Sequence, residues 1–353
     1  IAAHTATCLE ASGTTREVLA SQQKFKAHLE ELGITVPTKK SPTTGKQIPA
    51  FGKNDAAYTQ MCNMYPEYDY IWKAREAVKS RVEETRAERF LQSVNPDGTF
   101  SVPLRYYAAH TGRFGGSDKI NLQNLPRGST LRTAIMAPES QKLFIADLSN
   151  IEARMLAWMA KEADLIDAFA TGRDVYCEFA SQIYGRTITK QDKLERYVGK
   201  TAILGLGYGM GHEKFRLTLK TGSPSVDITE QTAMAIVAQY RGMYPNIPRL
   251  WSGMKDSLFQ MVNPRGVGLQ YGPLTIKPRA LQLPNGMCLS YPNLAYEHGQ
   301  FIYKTEREII RTHGPRVTEN VIQALARIVI TDQMLDVQSM PQVDIVCRYT
   351  TKL

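Results

Sequence analysis

Residues 196–209 constrain the fold more than any other segment, because they combine a regular four-residue spacing with many glycines. In a helix, a step of four residues turns a side chain by only about 40° around the axis. The segment is therefore predicted to be a helix with one slowly rotating stripe. Two cations come first in this stripe, followed by an aliphatic and an aromatic side chain: Arg196, Lys200, Leu204 and Tyr208.

The composition of this helix indicates binding rather than helix stability. Like charges four residues apart are unfavourable by a few tenths of a kcal/mol, and each glycine costs about 1 kcal/mol relative to alanine. Tandem cations favour a multiply charged anion such as a triphosphate, with a base near Leu204 and Tyr208. The alternative is a basic solvated face followed by a glycine-rich helix–helix contact. A P-loop is excluded, since no GxxxxGK[ST] segment occurs.

A carboxylate follows an apolar run at residues 143–146, which is predicted to be a buried strand. Asp147 at the end of that strand would suit Mg²⁺, which prefers oxygen ligands. Ser149 and Glu152 also have the spacing of a capping box at a helix start, and Asp147 could simply favour the positive helix end. Both interpretations remain open from the sequence.

Composition narrows the class of protein. The 353 residues include 43 Lys and Arg against 34 Asp and Glu, and the net charge of +9 suits a polyanionic partner. Five cysteines without a CxxC pair argue against a zinc ribbon or a disulfide framework and fit a reducing compartment. No run is apolar enough to span a membrane. We expect a cytoplasmic protein, in the host cytoplasm if the source is viral, without a membrane partner.

The remaining pattern predicts an α+β fold that is predominantly helical. Residues 150–262 are mostly helical, and 263–295 carry turns and short strands. Helices are expected at 15–33, 66–92, 296–311 and 318–337, and an apolar strand at 343–346. The basic loop at 37–46 is either a solvated linker or a phosphate contact, and the sequence does not separate the two.

Four segments together resemble the DNA polymerase I family (family A), particularly its phage-type members. Residues 147–154 (DLSNIEAR) resemble motif A, and 196–209 resemble motif B, RxxxKxxxFGxxYG. Residues 111–113 (TGR) and 121–126 (NLQNLP) resemble the segments that precede the palm. The resemblance implies a right-hand architecture. Residues 1–105 would be mainly thumb, 106–159 palm, 160–338 mainly fingers with the motif B helix at 190–209, and 339–353 a truncated return to the palm.

The resemblance also implies a reaction, in which a primer 3′-hydroxyl attacks the α-phosphate of a dNTP and pyrophosphate leaves. Two Mg²⁺ ions would assist it. Asp147 and the Leu148 carbonyl would bind metal, and Arg196 and Lys200 would hold the triphosphate as part of the catalytic set. Glu152 would act as a steric gate against a 2′-hydroxyl, and Leu204 would pack on the nucleotide. Tyr208 would lie beside the templating base, and Tyr176 would lie near the phosphates.

The expected partners are primer–template DNA and dNTPs, bound by a monomer. Arg113 would reach the primer terminus and belong to the catalytic set. Asn121, Gln123 and Asn124 would contact the nucleic-acid backbone. Gln323 would touch the minor groove near the primer end, with Glu319 as the competing residue for that role.

Three departures from the family pattern matter. Leu204 stands where the family usually has Phe or Tyr, which predicts altered handling of the nucleotide, and Tyr176 stands where many members have His. The His-Asp-Glu of motif C, expected after residue 346, does not occur in the chain. We therefore expect a polymerase-region fragment with an incomplete palm, inactive by itself.

Two competing interpretations follow. The chain could be a catalytically inactive module that binds primer–template and dNTP, or part of a single-subunit RNA polymerase. Glu152 counts against the RNA polymerase, because a carboxylate at the gate disfavours ribonucleotides.

Overall fold

The computed structural model describes residues 2–40, 47–52, 55–79, 82–118, 120–125, 128–306 and 308–345. The chain divides into two compact units, residues 1–101 and 102–353. The assignment of thumb, palm and fingers to these residues stays a prediction.

The first unit packs short helices around an aromatic core. The rings of Phe25 and Phe51 meet edge to face with centroids 5.0 Å apart. Arg75 is 3% exposed, and its guanidinium lies 4.0 Å from the Phe25 ring centroid and donates to the Leu19 carbonyl. The ring and the carbonyl offset part of the cost of burying this cation. The elements are α1 (Ala2–Ser12), α2 (Arg16–Ala20), α3 (Gln22–Glu31), β1 (Thr38–Lys40), β2 (Gln47–Pro49), α4 (Ala56–Met64), α5 (Asp69–Lys79) and α6 (Val82–Ser93).

The basic loop predicted at 37–46 lies mostly outside the described residues, which stop at 40 and resume at 47. Of its cations, Lys39 forms an ion pair with Asp55 at 2.7 Å. Asp55 lies 16 residues after Lys39, so the sequence near the loop shows no acidic partner for this lysine.

Helices form most of the second unit and surround its main hydrophobic core. They are α7 (Thr130–Thr133), α8 (Ile151–Ala160), α9 (Ala163–Ala170), α10 (Val175–Tyr184), α11 (Lys193–Leu206), α12 (His212–Thr221), α13 (Glu230–Met243), α14 (Asn246–Val262) and α15 (Gly314–Gln338). Tyr240 is buried at the centre, with the ring of Phe179 at 5.6 Å and that of Tyr244 at 5.1 Å. This core holds α8, α10, α11 and α13 against one another.

The strands of the second unit are short, and every described pairing is antiparallel. One sheet has the order β5-β6-β7-β8, another β11-β10-β9, and β3 pairs with β4. Their bounds are β3 (Leu104–Arg105), β4 (Gly115–Gly116), β5 (Gln270–Tyr271), β6 (Leu274–Lys277), β7 (Ala280–Gln282), β8 (Cys288–Ser290), β9 (Ala295–Glu297), β10 (Gln300–Lys304) and β11 (Ile309–Thr312).

The helix predicted at 296–311 is wrong, because this segment forms β9, β10 and β11. Glu297 pairs with Gln300, and the two residues between them, His298 and Gly299, both have positive φ (49° and 78°). A two-residue loop of this kind matches the twist of a hairpin and prevents helix propagation. The long helix predicted at 318–337 is confirmed by α15.

The strand predicted at 143–146 is also not formed. These residues have no regular structure, and Phe144 is 87% exposed. A strand needs a neighbour for its backbone hydrogen bonds, and no described strand pairs with this segment. Residues 343–345 likewise have no regular structure, and the rest of the predicted strand and the tail, 346–353, lie outside the described residues.

Candidate functional site

Helix α11 carries most of the predicted stripe but is shorter than the predicted 190–209. It begins at Lys193 and ends at Leu206. Arg196 and Leu204 are half-buried, whereas Lys200 is exposed and forms no ion pair within the described ranges. Tyr208 lies in the turn after the helix, where its N–H donates to the Gly205 carbonyl at 3.2 Å. The helix therefore places three members of the stripe, and the turn places the fourth.

Asp174 holds the first cation of the stripe. One oxygen of its carboxylate, Oδ2, accepts hydrogen bonds from Nε (3.0 Å) and Nη2 (2.9 Å) of Arg196. The other, Oδ1, caps α10 by accepting from the N–H groups of Tyr176 and Cys177. Burial raises the pKa of Asp174, but the Arg196 contact and the two capping bonds outweigh burial and leave it below its usual range. The Arg196 guanidinium is thus fixed to α10 through an ionised carboxylate, with Nη1 outside this contact.

Tyr176 connects the same cation to α8. Its ring lies 5.3 Å from the Arg196 guanidinium carbon, and its hydroxyl donates to Asn150 Oδ1 at 2.6 Å. Asn150 precedes α8 and has a positive φ of 56°. Tyr176 itself is 6% exposed. The structure therefore places Tyr176 beside Arg196 and gives its hydroxyl a protein partner, and its expected place near the phosphates stays a prediction.

The glycines of this segment serve contacts within the protein. A Cβ on Gly199 would lie 2.2 Å from the Tyr176 carbonyl oxygen, and one on Gly207 would lie 2.6 Å from Leu156 Cδ2. Gly209 has a φ of +76° and packs in the same way on Pro315. Of the interpretations left open by the sequence, helix–helix packing explains the glycines. The cationic face of α11 is not explained by packing.

Glu152 faces inward from the first turn of α8. It is 6% exposed, and its Oε1 accepts from Arg113 Nη1 at 3.4 Å. The capping box predicted as one alternative is not formed, because the N-cap of α8 is Asn150 and makes no side-chain capping bond. Burial raises the pKa of Glu152, Arg113 lowers it, and Glu319 raises it further.

A second group of predicted residues meets around Glu152. The hydroxyl of Tyr208 and Oε2 of Glu152 are both buried and have no hydrogen-bond partner. Burial, together with the charges of Glu152, Tyr240 and Glu319, raises the pKa of Tyr208 well above its usual value. Two polar atoms without partners at one place are rare in a folded protein and mark a place where a ligand can supply the missing bonds.

Gln323 of α15 belongs to this group as well. Its Oε1 accepts from the Thr111 hydroxyl at 3.4 Å, and its Nε2 donates to Glu319 Oε1 at 3.4 Å. The TGR segment and α15 are therefore in contact through the residue predicted to touch DNA. Glu319, the competitor for that role, lies one helical turn away and bonds to Gln323 directly.

Asp147 and Leu148 lie apart from regular structure, before α8. Asp147 is exposed, and the Leu148 carbonyl accepts from the Ile151 N–H at 3.2 Å. The described residues contain no cluster of three or more His, Cys, Asp or Glu side chains. The donors are oxygen atoms, as Mg²⁺ prefers, and one or two carboxylates with substrate phosphates suffice for one such ion. This donor set fits one Mg²⁺ and does not fit two.

The NLQN segment makes local contacts of its own. Asn121 caps a single 3-10 turn at Leu122–Asn124 by accepting from the Gln123 N–H at 3.0 Å. Gln123 Nε2 donates to the Phe114 carbonyl at 3.4 Å. Asn124 is exposed. These bonds tie the segment to the loop that carries Arg113, and the DNA contacts of the three amides stay predictions.

Two residues that position the site were missed in the sequence. Asp174 holds Arg196, and Asn150 holds Tyr176. An Asp directly before an apolar helical segment is an N-cap signal, so the capping role of Asp174 was readable. Its pairing with a cation 22 residues later was not, because it depends on how α10 packs on α11.

No helix in the described ranges is both long and apolar enough to cross a membrane.

Comparison with known proteins places these observations in a family. The model of DNA polymerase family A matches residues 1–261. The chain is 30% identical to the thermostable DNA polymerase I of Thermus thermophilus, over 63% of this chain and 25% of that protein. It is 26% identical to the DNA polymerase of Bacillus phage SP02, over 90% of this chain and 54% of that protein. The chain thus spans about half or less of the length of these relatives.

A solved structure has the same fold. It is the POL domain of Pol1 from M. smegmatis, in complex with DNA primer-template and dNTP. The two chains are 21% identical with a TM-score of 0.65, and the match covers 95% of this chain and 55% of that one. This likeness confirms the predicted α+β, predominantly helical fold of a polymerase domain. With the family model matching most of its length, the chain belongs to DNA polymerase family A.

Proposed function

We propose that this chain is part of a DNA-directed DNA polymerase that adds dNTPs to a primer 3′-hydroxyl and releases pyrophosphate. The observation that carries the proposal is the cationic face of α11. Arg196 is fixed on it by Asp174, and the exposed Lys200 follows one turn later. Family membership supports the reaction class.

The triphosphate would lie along this face. Arg196 offers a planar guanidinium whose Nε and Nη2 are held by Asp174, so that Nη1 can donate to a phosphate oxygen. Lys200 adds a mobile point charge with three donors. Leu204 would pack on the nucleotide one helical turn after Lys200. The ring of Tyr176 contacts the Arg196 guanidinium.

The sugar and the template would meet the group around Glu152. Oε2 of Glu152 and the Tyr208 hydroxyl are the two buried atoms without partners. A carboxylate here would oppose a 2′-hydroxyl, and Tyr208 would lie beside the templating base. Arg113, which holds Oε1 of Glu152, would reach the primer terminus from the same side. Asn121, Gln123, Asn124 and Gln323 would contact the DNA backbone and minor groove.

We propose a site for one Mg²⁺ ion and none for a second. Asp147 and the Leu148 carbonyl would hold one Mg²⁺, which would neutralise developing charge on the phosphate oxygens. Two-metal transfer needs a further carboxylate near Asp147. The described residues contain no group of three or more His, Cys, Asp or Glu placed to hold a metal ion, and residues 346–353 lie outside them. We therefore derive no step through a second ion.

A second function is proposed for the 353 residues alone, which is binding of primer–template and dNTP without synthesis. The specific observation is that the sequence contains no His-Asp-Glu triplet, while the cationic face of α11 is present. The two proposals make different predictions for the same polypeptide, since only one of them requires primer extension.

The test is dNTP binding and primer extension with the 353-residue chain. Arg196→Ala and Lys200→Ala should each weaken dNTP binding by about tenfold, the value of one charge-assisted hydrogen bond. The matched control is Lys214→Ala, an exposed lysine on α12. Equal affinity of all four proteins would refute the triphosphate assignment.

Primer extension separates the two functions. We expect no appreciable extension by the 353-residue chain, and robust extension would refute the binding-only function. In a longer parent that is active, Asp147→Asn should abolish extension. Extension by that variant would overturn the assignment of Asp147 to metal.

A further inference from the structure

A cavity of about 690 Å³ lies beside the N-terminus of α15, and no residue of α11 lines it. Its walls come from α14, from the sheet of β9, β10 and β11, and from the start of α15. Its size falls within the range of small-molecule sites. None of the residues that line it was given a role in the family site discussed above.

The charge of the lining is one-sided. Lys255 from α14 and Arg311 from β11 line the cavity, and no acidic side chain does so. Both cations are exposed, and neither forms an ion pair within the described part of the chain. Two uncompensated cations, one from α14 and one from the sheet, favour an anion in the cavity.

Two further features point to the same ligand. Thr312 lines the cavity and is only 4% exposed, yet its hydroxyl has no hydrogen-bond partner. The next residue, His313, is the N-cap of the 25-residue helix α15 and provides no side-chain capping bond. Pro315 in the first turn has no N–H, so Gly314 and Arg316 would supply the donors, which together with the helix dipole favour a phosphate group. A buried hydroxyl without a partner is costly unless a ligand accepts from it or donates to it.

Two aromatic side chains also line the cavity, Trp251 one helical turn before Lys255 on α14 and Tyr296 on β9. Tyr296 is 48% exposed, and Trp251 is half-buried with the Arg241 guanidinium 5.7 Å from its ring centroid. Accessible ring faces provide stacking surfaces for nucleobases. We propose that the cavity binds one nucleotide unit, with its phosphate at the α15 N-terminus near Lys255, Arg311 and Thr312 and its base on Tyr296 or Trp251.

This site goes beyond the function proposed above, since its lining includes neither of the α11 cations. It adjoins the end of α11 nevertheless. Trp251 Nε1 donates to the Gly207 carbonyl at 2.9 Å, and Pro315, which also lines the cavity, packs on Gly209. The nucleotide unit could come from a free mononucleotide or from a single strand, and the two share the phosphate and the base.

The test measures binding of three probes to the 353-residue chain: inorganic phosphate, dTMP and a single-stranded hexathymidylate. Lys255→Ala combined with Arg311→Ala should weaken binding of the base-bearing probe by about tenfold or more, and Thr312→Val should weaken it less. The matched control combines Lys190→Ala and Lys214→Ala, two exposed lysines that do not line the cavity. A 5-iodouracil version of the strand should photo-crosslink to Tyr296 or Trp251.

The outcomes are separable. Loss of dTMP and hexathymidylate binding together supports a mononucleotide site, and loss of hexathymidylate binding alone supports a strand site. Equal affinities of wild type and the cavity variants, crosslinks only at other residues, or binding of inorganic phosphate as strong as that of dTMP would overturn the proposal. Because the variants leave α11 unchanged, dNTP binding measured in parallel shows whether the first site has failed instead. Circular dichroism confirms that each variant is folded.

Discussion

At the scale of single residues, the pairing of Arg196 with Asp174 shows how a binding cation is made rigid. A free arginine loses rotamer entropy when it binds a phosphate. Here two of its nitrogens are already held by Asp174 Oδ2, and its face lies on the Tyr176 ring. Asp174 also caps α10, so the anchor cannot move without the helix.

Replacing Asp174 separates its two roles. Asp174→Asn retains an acceptor for the α10 N-cap but removes the charge that fixes Arg196, so dNTP affinity should fall roughly three- to tenfold with little loss of stability. Asp174→Ala should in addition cost about 1 kcal/mol of unfolding free energy through the lost cap. The measurements are dNTP titration and chemical denaturation.

The control for this prediction is Asp167→Asn. Asp167 also pairs with an arginine, Arg173, at 2.7 Å, but on the exposed side of α9. It should change neither quantity appreciably. Unchanged or tighter dNTP binding by Asp174→Asn would show that the carboxylate does not position Arg196 for the ligand.

Glu152 gives a pH dependence with a definite sign. Burial raises its pKa above the ordinary 4.5, with Arg113 opposing and Glu319 adding to the effect. The folded protein then retains this proton to higher pH than the unfolded chain, so stability from this group falls as pH rises from 4.5 through the folded pKa. Glu152→Gln removes the effect. The unfolding free energy of wild type minus that of the variant should therefore decrease between pH 4.5 and 7.

Denaturant titrations at a series of pH values measure this difference. Glu139→Gln, at an exposed position, is the matched control. A difference for Glu152→Gln that stays constant or increases with pH would contradict the assignment of Glu152 as a carboxyl destabilised by burial.

At the scale of elements, the contact between α10 and α11 depends on one glycine. A Cβ at Gly199 would meet the Tyr176 carbonyl at 2.2 Å, so Gly199→Ala must separate the two helices. Overpacking of this kind costs about 1–3 kcal/mol, more than the gain of up to 1 kcal/mol in helix propensity. Because Arg196 and Asp174 lie across the same contact, dNTP affinity should fall with stability.

Gly242 in α13 is the matched control, since it is exposed and a Cβ there would meet nothing within 4 Å. Gly242→Ala should stabilise the protein slightly in the same denaturation experiment. If Gly199→Ala were as stable as Gly242→Ala, close packing of α10 on α11 would be disproved.

Secondary structure was predicted correctly from the sequence where the local residue pattern determines it. The prediction failed where contacts with residues distant in sequence determine the structure. The four-residue spacing of 196–204 and the long apolar pattern of 318–337 correspond to α11 and α15. The run 143–146 has the composition of a strand but no described partner, so it is exposed. At 296–311 a helix was expected, and the turn at His298 and Gly299 forms a hairpin instead.

The candidate site shows the same division. Residue types and spacing were enough to name Arg196 and Lys200, whereas Glu152 was named as a site residue by the family resemblance. The capping box at 149–152 was equally readable and is not formed, because Glu152 turns inward to Arg113, which lies 39 residues earlier in the chain. Contacts of that separation have no signature in one sequence. The roles of these residues toward DNA and dNTP therefore stay predictions.

At the scale of the whole molecule, a protein that binds DNA needs positive charge to complement the negative phosphates. The chain carries a net charge of +9, and at least three exposed cations of the second unit, Lys200, Lys255 and Arg311, form no ion pair within its described ranges. Compensated cations such as Arg173 and Arg186 show that surface pairing is otherwise common in this unit. The uncompensated ones are therefore available to phosphates.

This excess charge predicts how primer–template binding responds to salt. Each phosphate that the protein neutralises contributes about −0.9 to the slope of log K against log salt concentration. If the proposed DNA interface is electrostatic, the 353-residue chain should show a slope steeper than about −3 between 50 and 200 mM salt, equivalent to more than about three phosphates. Fluorescence anisotropy with a labelled primer–template measures it. A slope near zero would mean that contacts to bases and sugars dominate, and the excess of cations would then need an explanation other than DNA binding.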